Sequence, residues 1–211
     1  MPTLETVSGP LVALGDALDA QSSRERVGWH VTDLIKIRRL LAHPNSTTQV
    51  REYFKGSYLP DWVRNLGAIG KIWEEAVMRT YVMWYSSEGS RVDEKVEAEC
   101  DGVTGSLDGM FYPSNGSAMV IECKCRFGWS SEDPRHYRDW MPQCLAYCHM
   151  VGTTEVLMPV LYLPATSREV RFLQHRITFS KGEVEGNWST LMTAKAKAEA
   201  MGYSSNDLPR D

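Results

Sequence analysis

The sequence predicts an α/β fold in which helices flank a mixed β-sheet. Two observations predict this class. Segments with helix-capping signals lie on both sides of a run of β-prone segments. Two of these β-prone segments flank Pro113–Ser117, whose Pro, Ser, Asn and Gly residues are typical of a hairpin turn. The order of helices and strands therefore indicates one layered domain.

The elements follow in chain order from Trp29, where structure is expected to start. Thr32 is a good N-cap for a helix that ends at Leu41, before Pro44, and Ser46–Gln49 resembles a capping box for a second helix. The remaining predicted helices run through Glu74 to about Trp84, from about 141 to 151 and from about 186 to 201. Strands are predicted near 95–101, in the hairpin, near 154–163 and near 168–179.

The loop length of the hairpin decides which side chains face each other. A three-residue loop, Ser114–Gly116, places Asp108 opposite Glu122, with Gly116 in the left-handed conformation of a type I turn and bulge. Pleat alternation then points Lys124 to the same face. A two-residue Asn-Gly loop would turn Asp108 to the other face, and we predict the longer loop. In this register Leu107, Phe111, Met119, Ile121 and Cys123 share the core face, and Ser106, Asp108, Glu122 and Lys124 share the other.

This pattern of charges suits metal-assisted cleavage of a phosphodiester. Two carboxylates about 5 Å apart repel each other unless a positive group lies between them, and a hard divalent cation is the usual solution. An alternative is a solvent-facing hairpin whose Asp108, Glu122 and Lys124 are ordinary surface charges. Further motifs are needed to choose between them.

Those motifs resemble the PD-(D/E)XK nuclease superfamily. Asp108 followed by Glu122-Cys123-Lys124 is similar to its Asp...Glu-x-Lys core. Gly70–Glu74 resembles the helix that carries the first glutamate in the lambda-exonuclease and RecB-like branch, and Gln143–Tyr147 matches its Gln-x-x-x-Tyr helix. Many RecB-like relatives carry a histidine where this chain has Trp73, which favours the lambda-exonuclease-like, viral recombination type. The resemblance implies a restriction-endonuclease-like core.

The resemblance also implies roles for these residues. Asp108, Glu122, Glu74 and the backbone carbonyl of Cys123 would be metal ligands. The catalytic residues would be Asp108, Glu122, Glu74 and Lys124. Glu74 competes with Glu75 for one role, since neighbouring helical residues point about 100° apart, and the resemblance favours Glu74. Magnesium is the expected ion because the ligands are hard oxygens, and manganese should substitute.

DNA-binding candidates lie outside this core. Gln143 and Tyr147 stand one helical turn apart and could hold a phosphate or the lysine, or could simply pack on the sheet. The net charge is −4, yet Arg24–Lys71 has nine basic and four acidic residues, so this segment is +5 and the remainder −9. Such asymmetry is typical of a phosphate-binding surface, although a solvated helix face explains it equally well. The basic candidates are Lys36, Arg38, Arg39 and Arg126.

Composition sets the limits on the chain as a whole. Its 211 residues, 43% of them hydrophobic, suit a single nuclease domain over 26–202, between a flexible arm over 1–25 and a frayed tail over 203–211. No apolar run reaches the roughly 18 residues of a membrane span, and no signal peptide is recognised. We therefore expect a soluble protein in the cytoplasm of a bacterium or a phage-infected host.

The five cysteines form no Cys-x-x-Cys pair, so disulfides are not indicated. Some RecB-like nucleases hold an iron-sulfur cluster with cysteines at both ends of the domain, and this chain lacks that pattern. Cys123, Cys125, Cys144 and Cys148 could approach each other, but small buried thiols explain the same residues. We expect no cluster.

Together these observations predict a magnesium-dependent deoxyribonuclease. The resemblance favours an exonuclease that processes double-stranded DNA ends in phage-type recombination or repair. An endonuclease or nickase on the same fold and an inactive DNA-binding module are the alternatives. DNA is the expected partner, no membrane is involved, and the resemblance implies two further possibilities, a single-strand annealing protein and a homotrimer.

Overall fold

The computed structural model describes residues 28–42, 50, 61–128, 131–163 and 170–208. Within this part of the chain, four helices flank a seven-stranded mixed sheet, which confirms the predicted fold class. The helices are α1 (Val31–Leu41), α2 (Asp61–Ser87), α3 (Trp140–Val151) and α4 (Lys181–Ala200). The strands are β1 (Trp29–His30), β2 (Arg91–Cys100), β3 (Val103–Tyr112), β4 (Met119–Ile121), β5 (Lys124–Phe127), β6 (Glu155–Leu163) and β7 (Arg171–Thr178).

Several helix starts differ from the sequence-based expectation. His30, not Thr32, is the N-cap of α1. Helix α4 begins five residues earlier than predicted because Ser180 and Glu183 form a reciprocal capping box that satisfies the first backbone donors. Helix α2 extends well before Glu74. The predicted arm over 1–25 and, apart from Val50, the predicted helix after Ser46 lie outside the described residues.

The sheet is built around β3 and β6. Strand β3 pairs antiparallel with β2 and β4 and parallel with β1, while β6 pairs parallel with β4 and β5 and antiparallel with β7. Val120 lies opposite Val156 and Lys124 opposite Val160, so β4 and β5 keep one register along β6. They are therefore one strand, interrupted at Glu122 and Cys123.

The hairpin has the predicted register. Gly109 pairs with Ile121 and Phe111 with Met119, so continuing the ladder places Asp108 opposite Glu122. The same register corresponds to a three-residue loop, in which Gly116 has a φ of 116°. A side chain is disfavoured at such a φ, which explains the glycine.

Both faces of the sheet are buried, which differs from the single core face that we predicted. Phe111, Met119 and Ile121 pack against α2. Leu107 belongs instead to the larger cluster, together with Met110 and apolar residues of α1, α3 and α4. Leu107 and Phe111 are four residues apart on β3, so pleat alternation predicted one face for both, and alternation does not account for their separate clusters. The carboxylates of the hairpin consequently lie between layers of structure rather than on an open surface.

The C-terminal segment that we expected to fray has local structure up to residue 208. Ser204 and Asp207 form a capping box around a 3₁₀-helix over Ser205–Asp207, and Leu208 packs against the larger core cluster. In the described residues, no helix combines the length and the apolarity needed to cross a bilayer.

Candidate active site

The site forms where β3 separates from the interrupted strand. Glu122 continues the parallel ladder, since its backbone N–H donates to the carbonyl of Leu157 at 3.1 Å. The next backbone N–H, that of Cys123, donates to Asp108 Oδ2 at 2.6 Å. An aspartate side chain therefore takes the place of a backbone acceptor at the split, and this bond holds the Asp108 carboxylate against the strand that carries Glu122.

Glu122 and Lys124 form a buried ion pair. The Lys124 Nζ donates to Glu122 Oε1 at 2.6 Å, and the side chains are only 14% and 4% exposed. Glu122 Oε2 is buried and has no hydrogen-bond partner. A buried carboxylate oxygen without a donor costs about 1–3 kcal/mol or more, so this atom needs a positive partner.

Helix α3 fixes the lysine from the other side. The Lys124 Nζ donates to Gln143 Oε1 at 2.7 Å, and Gln143 Nε2 donates to the Tyr147 hydroxyl at 3.0 Å. The predicted common face of Gln143 and Tyr147 thus exists. Tyr147 is only 3% exposed, and its contact with DNA stays a prediction. In this structure its hydroxyl accepts from the amide that holds the lysine.

The structure distinguishes Glu74 from Glu75. Glu75 is exposed and pairs with Arg79 at 2.8 Å, one helical turn away. Glu74 is half-buried, and its charge interacts with that of Glu122 and that of Asp108. Glu74 is therefore near enough to Asp108 and Glu122 for their charges to interact, whereas Glu75 lies on the solvated face of α2. The role of Glu74 as a metal ligand stays a prediction.

The carboxylates have raised pKa values. Burial, followed by the charges of Glu122 and Glu74, raises the pKa of Asp108 well above its usual range. Burial also raises the pKa of Glu122, although Lys124 opposes the shift. Burial raises the pKa of Glu74 too, with Lys95 opposing it and Glu122 adding to it. Burial alone would lower the pKa of Lys124, but the carboxylates of Glu122 and Asp108 are among the groups that raise it overall. The lysine therefore stays charged.

This donor set fits a divalent cation. The charges of Asp108, Glu122 and Glu74 interact with one another, and the unpartnered Glu122 Oε2 is a hard oxygen of the kind that Mg²⁺ and Mn²⁺ prefer. Among the described residues, however, the oxygens of Asp108, Glu122 and Glu74 do not form a group with all members within 4.8 Å of one another. Asp108 and Glu122 face each other on adjacent strands and Glu74 comes from α2, so which of these carboxylates bind an ion directly stays a prediction.

The predicted basic residues near the site have protein partners. Arg38 donates to Asn187 Oδ1 at 3.1 Å, and Arg39 pairs with Asp139, the N-cap residue of α3, at 2.6 Å. Lys36 is exposed on α1. Arg38 and Arg39 thus gather at the end of α3 that also carries Gln143.

Arg126 lies on β5, two residues beyond Lys124 and therefore on the same side of the strand. It is exposed, and its guanidinium carbon lies 5.4 Å from the centre of the Tyr137 ring. The rings of Tyr137 and Trp140 lie 4.2 Å apart. Tyr137 and Trp140 were not among the DNA-binding residues predicted from the sequence, although aromatic side chains next to basic ones are typical of nucleic-acid contacts.

Several solved structures are similar to this chain. A protein called SSO0001 is 17% identical, with a TM-score of 0.54, and the match covers 96% of this chain and 90% of that one. The exonuclease LHK-Exo of Laribacter hongkongensis in complex with dAMP is 14% identical, with a TM-score of 0.51, and the match covers 90% of this chain and 91% of that one. A phage-related exonuclease from Haemophilus somnus 129PT is 12% identical, with a TM-score of 0.54, and the match covers 84% of this chain and 97% of that one. No protein-family model and no curated protein matches the sequence.

The similarity spans nearly the whole length of each neighbour and concerns the fold. The chain shares the overall fold of these neighbours, two of which are exonucleases, and this agrees with the resemblance seen in its motifs. At 12–17% identity the likeness does not transfer an activity, so the function has to be argued from the site.

Proposed function

We propose that the protein is a metal-dependent deoxyribonuclease that hydrolyses phosphodiester bonds. The observation that carries this proposal is Glu122, a buried carboxylate with one oxygen bound to Lys124 and the other unpartnered, opposite Asp108 at the split of two strands. A surface that only binds DNA gains little from buried carboxylates, because they repel phosphate.

Asp108 and Glu122 would hold the ion, with the Cys123 carbonyl as a further ligand and Glu74 at longer range. Magnesium is the expected ion, and manganese should substitute. When bound, such an ion neutralises phosphate charge and lowers the pKa of a bound water so that it can act as a nucleophile. Raised carboxylate pKa values indicate that the site is destabilised when it carries only its own charges.

Lys124 would stabilise the negative charge that develops on the phosphate. An ammonium has three N–H donors, and Glu122 and Gln143 take one each. The remaining donor is available to a phosphate oxygen. Because Gln143 and Glu122 hold Lys124 from two sides, the ammonium needs little reorganisation when substrate arrives, which is the condition for strong electrostatic stabilisation.

The substrate would be DNA. Arg126 lies on the same side of β5 as Lys124, and Arg38 and Arg39 flank the end of α3 that carries Gln143, so these residues would meet the sugar-phosphate backbone. The resemblance in the motifs favours action on double-stranded ends, in phage-type recombination or repair, and two of the similar structures are exonucleases. A single-strand annealing partner and a trimeric assembly remain predictions from the resemblance.

A cleavage assay on two DNA forms tests this proposal. End-labelled linear duplex and covalently closed circular DNA are incubated with the protein in Mg²⁺, in Mn²⁺ and in chelator. We expect metal-dependent degradation of the linear duplex only. Cleavage of the circle would indicate an endonuclease or nickase, and no cleavage of either form, with DNA still bound, would indicate an inactive binding module.

A further inference from the structure

A second group of potential ligands lies away from the carboxylate site. The thiol of Cys100, a carboxylate oxygen of Asp101 and an imidazole nitrogen of His149 all lie within 4.8 Å of one another. Cys100 ends β2, and Asp101 begins the two-residue turn into β3 with a φ of 52°. His149 comes from the last turn of α3. Two chain segments distant in sequence, the turn after β2 and the last turn of α3, thus bring three different donor types together.

One buried indole orients two of these three side chains. Trp188 of α4 is 5% exposed, and its Nε1 donates to Asp101 Oδ2 at 2.8 Å. The His149 ring stacks on the same indole, with ring centres 4.6 Å apart and planes 14° apart. A hydrogen bond to a ligating carboxylate, as Asp101 receives here, is typical of the groups that hold metal ligands in position, and the stacked indole restricts the His149 ring. An incidental surface cluster would not be expected to share a buried support.

We propose that Cys100, Asp101 and His149 bind a zinc-class divalent ion. Sulfur, nitrogen and carboxylate oxygen are the ligands that Zn²⁺ takes in proteins, and three protein ligands leave a fourth tetrahedral position for water. Binding converts the Cys100 thiol to a thiolate, whose proton is released to solvent while the sulfur-metal bond forms. The thiol already contacts the Asp101 carboxylate, so the ion would replace that contact.

The neighbouring charge sets a limit on affinity. The Lys195 Nζ donates to the backbone carbonyl of Asp101 at 2.8 Å, which places an ammonium near the site. A thiolate and a carboxylate together carry two negative charges and outweigh it. The two sites should also prefer different metals, because Mg²⁺ binds thiolates poorly and Zn²⁺-class ions bind them well. The inference is therefore independent of the proposed nuclease activity.

Cobalt titration of the full-length, metal-free protein tests the proposal. Co²⁺ reports directly on its ligands, because a bound thiolate adds an intense charge-transfer absorption in the near ultraviolet. We expect this absorption to saturate at one Co²⁺ per chain and to disappear when Zn²⁺ is added. Native mass spectrometry with Zn²⁺ measures the same stoichiometry.

Three variants assign the ligands. Cys100→Ser should abolish the absorption, and His149→Gln should weaken Co²⁺ binding by more than tenfold. Trp188→Phe keeps the ring but loses the Nε1 donor, and it should weaken binding roughly tenfold, as expected for lost support of a ligand. Cys125→Ser removes a thiol outside the group and should leave the titration unchanged.

Circular dichroism and thermal melting of each variant establish that it is folded. If Cys100→Ser does not fold, the His149→Gln titration decides the question. An absorption that persists in Cys100→Ser, one that is lost in Cys125→Ser, or no thiolate absorption in the wild-type protein would overturn the assignment.

Discussion

Two glutamate pairs in this molecule have nearly the same geometry and opposite environments. Glu122 accepts from Lys124 at 2.6 Å, and Glu75 accepts from Arg79 at 2.8 Å. The Glu122 and Lys124 side chains are 4% and 14% exposed, whereas those of Glu75 and Arg79 are 56% and 74% exposed. The N···O distances of the two pairs are nearly equal, but their exposure to solvent is very different.

The difference appears at the second carboxylate oxygen. Solvent can hydrate the exposed Glu75, while Glu122 Oε2 is buried and has no donor. An exposed helical pair contributes about 0.3–0.5 kcal/mol. A buried pair with an unmatched oxygen lowers stability until a cation or substrate completes it. The buried pair therefore supports the proposed active site, whereas the exposed pair is an ordinary surface ion pair.

We expect the largest effect on the rate of DNA cleavage, when the charge of each glutamate is removed in turn. Glu122→Gln should reduce DNA cleavage in Mg²⁺ by about a hundredfold to a thousandfold, because it removes charge that the metal and Lys124 both need. Glu75→Gln, the matched control one turn of helix away from Arg79, should retain activity within about twofold. Initial rates on linear duplex measure both. Equal losses would contradict the assigned difference.

A stability measurement tests the repulsion within the buried group. Asp108→Asn keeps an oxygen acceptor for the Cys123 N–H but removes a negative charge beside Glu122. In chelator the variant should be more stable than wild type by about 1–2 kcal/mol. The wild-type protein should gain melting temperature with Mg²⁺ by mass action, and the variant should gain less.

The sign of that change is informative. Thermal melts in chelator and in Mg²⁺ measure it. A variant less stable than wild type in chelator would mean that Asp108 serves the fold through its hydrogen bond, with no repulsion to relieve.

The support of the lysine should have a smaller effect. Gln143→Leu removes the acceptor on the α3 side of Lys124, and we expect turnover to fall about tenfold with little change in KM. Tyr147→Phe removes only the hydroxyl that receives the Gln143 amide, so its effect should be smaller. Steady-state kinetics distinguish this pattern from a binding role, which would raise KM instead.

Stability should depend on pH in metal-free buffer. The folded pKa values of Asp108, Glu122 and Glu74 lie above their usual ranges, so the folded state binds more protons than the unfolded chain. The free energy of unfolding should therefore fall as pH rises from about 4 through these raised pKa values. Lys124, with its own raised pKa, contributes a loss only above about pH 10.

Denaturant titrations between about pH 5 and 8, with and without Mg²⁺, measure this slope. Bound metal should flatten it, because it stabilises the ionised carboxylates. The lowered pKa of His175 gives an opposite slope in this window, and Asp108→Asn leaves that slope in place. A fall with pH that is no steeper in wild type than in Asp108→Asn would therefore contradict the raised pKa of Asp108.

The smallest expected effect concerns the exposed pair. Arg79→Ala should lower the free energy of unfolding by only about 0.3–0.5 kcal/mol, and added salt should reduce that difference. Chemical denaturation at low and high salt measures it. A loss of several kcal/mol would mean that exposure does not explain the contrast between the two glutamate pairs.

Local sequence chemistry was sufficient for the hairpin. Turn residues and pleat alternation predicted the register that places Asp108 opposite Glu122, and the helical repeat predicted that Gln143 and Tyr147 share a face. These features depend on contacts within a few residues of the turn or within one helical turn. The capping box at Ser180 also lies in the sequence, although we placed the start of α4 too late.

Long-range packing explains the features that local patterns could not predict. Asp108 bonds to the Cys123 backbone because β3 leaves the interrupted strand there, and Tyr147 is buried because α3 covers that face of the sheet. Glu74 is half-buried and Glu75 is exposed because only one side of α2 packs against the rest of the fold. The sequence thus determined which charged side chains lie close together, because strand register and the helical repeat depend on local residues. The packing of helices on both sides of the sheet determined which of those side chains are buried, because burial depends on the whole fold.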